Sequence, residues 1–245
     1  GQGLGLAKLE GEFKDWLKYH GLTMEEKLVL DLQNKAFPLP VMRKVGTNQV
    51  QEVRMIEYPY FADIRSNGFN TDNPITANLE QVTMAWSSPI TLDKGINANR
   101  KVVELMKSSD KSWLSEDTEI MPEIDNDGVA PFTQTGEFGS HLLGVAIKGK
   151  FTSFFSGKES PLVSGEKNQK EISIARDVLE KSPKTSQIIL FSSNDFLRDQ
   201  TLTIANSAIG SEYRGSMDLI ANTIDWALED SGLLSIRSRG HFNRT

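Results

Sequence analysis

The sequence contains no cysteine. That excludes thiol catalysis, disulfides and thiolate metal sites, and it leaves the compartment open. Histidine is almost as scarce, with three residues, His20, His141 and His241. None belongs to a nucleophile or base motif, and no Gly-x-Ser-x-Gly elbow occurs, so a Ser-His-acid triad has no recognisable starting point. Zinc is equally poorly served, because no histidines pair at helical spacing. No apolar run approaches the roughly 18 residues that a membrane-spanning helix needs. No signal peptide is visible, and the opening Gly-Gln-Gly without methionine reads as a trimmed start, with any targeting segment upstream. "GQGLGL" has glycines but no preceding strand and no Walker lysine, so it makes a poor phosphate cradle. Internal repeats and low-complexity tracts are also missing.

What remains is an ordinary globular composition. The chain has 245 residues, 38% hydrophobic and 24% charged, enough for one large domain or two small ones. A net charge of -6 argues against nucleic acid as a partner, which normally calls for a basic patch.

Patterning predicts intermixed helices and strands. Leu6, Leu9, Phe13, Trp16 and Leu17 recur at helical spacing, and Gly21 is placed to end that helix. "KLVLDL" (27–32) reads as a buried strand, and "NKAFPLP" as a loop or edge segment because of its prolines. "EVRMIEY" (52–58) is a strand closed by Pro59, and 82–86 is another, stopped by Ser-Ser-Pro. "NRKVVELMKSS" suits a short helix with Val102, Val103 and Met106 on one face. Residues 115–140, polar and broken by proline and glycine, read as a long surface loop.

"HLLGVAIKGKFTSFF" (141–155) is the clearest strand, with a second half expected to be half-exposed because Val145, Ile147 and Phe151 alternate with lysines. A helix is expected next, with Ile172, Ala175, Val178 and Leu179 inward and Pro183 as its stop. The run "IILF" inside Gln187–Phe191 is apolar on both faces, the mark of a central strand covered on both sides. In the last helix, Ser216 suits the N-cap, Gly232 the stop, and Met217, Ile220, Ala221, Ile224, Ala227 and Leu228 form a stripe. "LLSIRSR" reads as a closing strand. These elements predict one α/β domain over 1–245, a layered mixed β-sheet flanked by helices.

Candidate chemistry is sparse, and no catalytic, metal or cofactor-binding residue stands out. "EIDNDG" (123–128) has the oxygen ligands and glycine of a calcium loop, but Gln134 stands where a bidentate Glu is needed. An acidic solvated loop is the better reading. His20 sits at a helix end, where the dipole favours a cation. Trp86 and Trp226 are expected to be partly core. The loop Ser192, Ser193, Asn194 and Asp195 follows a strand, where a ligand is often held. Asn194 and Asp195 equally suit a cap for the next helix, and caps are far commoner than sites. A rival reading makes Ser193 and Asp195 part of a periplasmic hydrolase, and a third makes the chain a solute-binding domain.

The order of segments adds a resemblance. "LEGEFKDWLKYHGL", "LVLDL", "YPYF", "NPITANLEQVTMAWSSPI", "VVELMKSSDKSWL", "LLGVAIKGKFTSFF", "QIILFSSNDFL" and "DLIANTIDWALEDSGLLSIRSR" follow one another as in the GldG-type auxiliary components of ABC-type transport systems associated with gliding motility. The chain resembles that family over nearly its whole length. The resemblance implies a non-catalytic extracytoplasmic domain accompanying an ABC permease and its ATPase on the periplasmic face of the bacterial inner membrane. It implies a fold related to the glutamine-amidotransferase-like (flavodoxin-like) class, with no cofactor. It further implies a missing region before Leu6 and a membrane helix after the "IRSR" strand, so that the chain is a fragment of an anchored protein. Arg237, Arg239 and Arg244 would then lie near the membrane. An incomplete sheet would leave an edge needing cover, for which self-association is one answer.

Overall fold

The apolar runs build sheet far more than helix. The computed structural model describes residues 12–122, 124–125, 128–129, 132–158, 179–209 and 214–228. In it the chain is an α/β structure, mostly sheet with a few helices, and every described strand pair is antiparallel.

Helix α1 (Phe13–Tyr19) ends at His20, with Gly21 beyond it at φ +80°. Strand β1 (Leu22–Met24) pairs with β6 (Ile90–Leu92), and β2 (Leu28–Asp31) pairs with β8 (Ser112–Ser115). β2 is buried along its whole length, as its apolar run predicts.

The largest element is the hairpin of β3 (Asn34–Val45) and β4 (Asn48–Arg65). Pro59 does not end β4. Between Ala36↔Glu57 and Asn34↔Ala62 the ladder skips, so residues 58–61 have no register partner on β3. Pro59 falls in that gap, where its missing N–H costs no ladder bond, while the Tyr58 N–H is taken by Asn34 Oδ1 at 2.9 Å. Beyond the gap, β4 pairs with β5 (Gln81–Ala85).

A second three-stranded sheet runs in the order β12 (Gln187–Phe191), β11 (Leu142–Lys148), β7 (Lys101–Lys107). Two expectations are corrected here. The segment "KVVELMK" is strand β7 and not a helix. Its Val102 and Val103 are β-branched residues that favour a pleated surface, and both pair with β11. The central strand is β11, which ends at Lys148; from there the expected alternation holds, with Phe151 buried and Lys150 and Thr152 exposed. β12 has the predicted bounds but lies at the edge among the described strands. Between β8 and β11, two short strands, β9 (Ile124–Asp125) and β10 (Gly128–Val129), pair with each other. The 115–140 stretch is also pinned down by its buried Ile120 and by Phe132, which packs against Tyr58 and Tyr60.

Helix α2 (Asp199–Ile209) lies against β3, with Ile204 buried in a cluster around Phe37, Tyr58, Phe61 and Trp113. Helix α3 (Gly215–Ala227) turns a different face inward from the one predicted. Arg214 is its N-cap, and Ser216 is buried inside the first turn. Leu219 and Asn222 point to the core, whereas Met217, Ile224 and Leu228 are exposed. Leu219 joins Ile64, Val82, Met84, Leu105 and Leu143 in one cluster, against which Trp226 packs. Burying each such aliphatic side chain contributes about 1.5–3 kcal/mol. A third cluster, including Leu17, Leu22, Val145, Ile147 and Leu190, underlies α1. Leu179, expected inward, is exposed. The helix expected around 172–178, the closing strand, His241, Gly232 and the three terminal arginines lie outside the described residues.

Candidate functional site

The loop after β12 meets a second Ser-Ser dipeptide from a distant part of the chain. Ser192 N–H donates to Leu143 O at 3.0 Å, extending the β11 ladder, and Ser88 N–H donates to Ser192 O at 3.1 Å. Ser193 Oγ donates to Ala85 O at 2.5 Å and also accepts from Asp195 N–H at 3.2 Å. The two serine pairs therefore lock the β5–β6 turn onto the end of β12. Trp86 occupies that turn at φ +48°, a left-handed conformation that a bulky residue holds only when its surroundings enforce it. They do so here: Trp86 N–H donates to Tyr60 O at 2.9 Å, and its Nε1–H to Tyr58 Oη at 3.1 Å. Tyr58 in turn donates to Ile120 O at 2.9 Å. Burial holds the Tyr58 phenol well above its ordinary pKa, against the opposing pull of the Trp86 hydrogen bond.

Asp195 sits 2.7 Å from Arg198 Nε, and Arg198 N–H donates to Asp195 O at 3.0 Å, which shapes the turn just ahead of α2. Asn194 is exposed. Ser193 thus has its hydroxyl on a main-chain carbonyl and Asp195 its carboxylate on an arginine. Ser87 Oγ and Ser192 Oγ are buried and have no hydrogen-bond partner among the described residues.

Sequence reasoning missed two buried acids that organise this end of the molecule. Asp31, fully buried, accepts from Ser109 N–H at 2.8 Å, Ser109 Oγ at 2.6 Å and Gln33 N–H at 2.8 Å. Asp63, also fully buried, lies 2.9 Å from Arg65 Nε and accepts from Gln81 Nε2 at 2.5 Å. The available signal was an acid inside an apolar run, in "LVLDL" and "FADI", which has to be paired if it is buried. His141 lies nearby, its N–H on Ser108 Oγ at 2.8 Å. Burial lowers its pKa, and the charges of Glu25 and Asp31 offset this only in part. His20 is lowered too, first by burial and then by Arg100, so desolvation outweighs the helix-end preference for a cation. Its ring meets Trp16, Tyr19 and Phe151 edge-on. Of the calcium-loop positions, Glu123 lies outside the described residues, and Asp125 pairs with Gly128 across the short hairpin.

A concavity lies elsewhere. An open groove of about 1150 Å³ follows β7, walled by β6 and by the 67–73 segment. Asn70 builds its wall by imitating a neighbouring strand. Its N–H donates to Leu105 O and its Nδ2 to Glu104 O, both at 2.9 Å. Gly68 permits this approach, because a Cβ there would lie 2.6 Å from Lys107 O. Thr91, Asp93, Lys101 and Glu104 line the rest together with Leu92, Val102 and Met106, giving a mixed polar and apolar surface that carries charges of both signs.

Comparison with known proteins places the molecule. Residues 1–226 match the family described as ABC-type uncharacterized transport system. The chain belongs to that family of auxiliary ABC-transport components. An uncharacterized protein of Borreliella burgdorferi (strain ATCC 35210 / DSM 4680 / CIP 102532 / B31) is 24% identical over 159 residues, or 64% of this chain. That stretch is 29% of the relative's length, so the chain matches less than a third of it. No solved structure matches. Among the described residues, no helix is long and apolar enough to cross a membrane.

Proposed function

We propose that the chain is a non-catalytic, extracytoplasmic accessory domain of an ABC-type transport system, of the GldG-type associated with gliding motility. It works by holding extracytoplasmic segments of the permease on the periplasmic side of the inner membrane, with a membrane anchor outside this chain and the ATPase joined to the complex through the permease. The observation that carries the reading is the open groove along β7, lined by apolar side chains and by charges of both signs. A groove of mixed charge beside a sheet edge suits an extended polypeptide better than a small substrate, which is usually enclosed in a mostly apolar pocket. The loop 192–195 supports the same reading, since its side chains serve the fold. Family membership supplies the transport context.

The test is co-purification of the full-length protein with its cognate permease and ATPase. Both subunits should be recovered, and the double reversal Lys101→Glu with Glu104→Lys should reduce recovery at least about fivefold, as expected for a changed charge pattern at a contact. Unchanged recovery, or loss of recovery together with a lowered melting temperature, would count against the groove as the contact. In the same cells, Met42→Cys should react with a membrane-impermeant maleimide without lysis. Protection until lysis overturns the extracytoplasmic placement.

A further inference from the structure

The β3–β4 hairpin continues well beyond the core as a two-stranded arm. It pairs without a break from Ala36↔Glu57 to Val45↔Asn48, and Gly46 at φ +64° opens the two-residue turn. Glycine with positive φ at the first central position is the requirement of a type II′ turn. Flanking residues of such a turn form a hydrogen-bonded pair, and the pairs alternate from there. Residues 38, 40, 42 and 44 of β3, and 49, 51, 53 and 55 of β4, therefore direct their main-chain groups away from each other. The prolines agree independently, because Pro38 and Pro40 must turn their nitrogens away from the ladder.

The two outer edges of the arm are consequently unequal. The β3 edge lacks two donors, a common protection against strand addition. The β4 edge keeps all of its donors and acceptors at 49, 51, 53 and 55, and no described strand pairs with it there. On the same face as these residues lies an apolar stripe, with Met42 62%, Val53 61% and Met55 45% exposed.

We propose that this edge pairs antiparallel with the β4 edge of a second copy of the chain, with Val53 on the two-fold axis. Charge selects both occupant and register. With Val53 opposite Val53, Glu52 of each copy lies across from Arg54 of the other, Gln51 across from Met55, and Val50 across from Ile56. Sliding by one hydrogen-bonded step in either direction puts Glu52 on Glu52 or Arg54 on Arg54, and like charges directly opposite are unfavourable. The pairing joins two arms into a four-stranded sheet and brings the stripes Met42, Val53 and Met55 of both copies side by side. The inference is independent of the transport reading and adds a self-association surface to it.

The experiment is sedimentation equilibrium of the 245-residue chain across a concentration series reaching tens of micromolar, with circular dichroism of each variant. The expected mass is twice 27.3 kDa. Glu52→Arg and Arg54→Glu should each raise the dimer dissociation constant at least about tenfold, and the double variant E52R/R54E should restore it to within about threefold. Val53→Pro, which removes an outward donor and no hairpin bond, should give a folded monomer. A wild-type monomer throughout, a dimer that survives either single swap or Val53→Pro, or a double variant no better than the singles would overturn the proposal.

Discussion

Ser193 Oγ donates to the carbonyl oxygen of Ala85 at 2.5 Å, joining the loop after β12 to the end of β5, 108 residues away. This bond and the neighbouring Ser88-to-Ser192 bond fasten the β4–β5 sheet to the end of the β11–β12 sheet. Ser193→Ala leaves a buried carbonyl without its donor, so it should cost about 1–3 kcal/mol. Urea unfolding followed by Trp fluorescence measures this. A loss below about 0.5 kcal/mol, the range of an ordinary surface change, would show that the clamp carries little.

Buried His20 and half-buried His141 make stability depend on mild acid. His20 and His141 both have folded-state pKa values lowered from 6.5, principally by burial. As the pH falls below 6.5, the unfolded chain takes up these protons before the folded chain does. Their contribution is therefore complete above 6.5, declines as the pH drops toward each folded pKa, and then levels off. Denaturant midpoints measured between about pH 7 and pH 5 should fall with acid, and His20→Phe with His141→Gln should flatten that decline. An unchanged slope in the double variant would assign the acid sensitivity to other groups.

The orientation of α3 is testable by contrast. Leu219 is fully buried, so Leu219→Ala should cost about 2–5 kcal/mol. Ile224 is 53% exposed, and Ile224→Ser should stay within about 1 kcal/mol, comprising a surface term and a small propensity loss. Thermal melts of the two variants decide the matter. Equal losses would mean that the apolar stripe faces inward after all.

Much of the sheet was legible because its strands carry unambiguous local signals. β12 came out at its bounds and β2 within one residue at each end, since a short apolar run flanked by polar turns leaves few alternatives. β7 was misread because Val102, Val103 and Met106 fit a helical face as well as a strand, and only the β11 ladder decides between them. Pro59 misled in another way: proline ends a regular strand, but the gap opposite it depends on where β3 happens to pair. The α3 face was misplaced because only part of its apolar stripe, Ile220, reaches the core, and Ser216 and Asn222 take buried places. At the candidate site, a strand followed by Ser-Ser-Asn-Asp was visible. That its partner would be the other Ser-Ser, at 87–88, was not, because nothing local encodes a contact between residues so far apart.

β4 is one continuous strand from Asn48 to Arg65, 18 residues long. At about 3.3 Å per residue it spans roughly 60 Å. One end is an exposed hairpin tip, and the other is clasped by β5 beside the Trp86 turn. Such a strand is a mechanical lever with its fulcrum near Pro59, where the ladder to β3 is interrupted. A force on the tip would arrive at Tyr58, Tyr60 and the serine clamp without crossing a loop, so whatever grips the arm is wired directly to the joint between the two sheets.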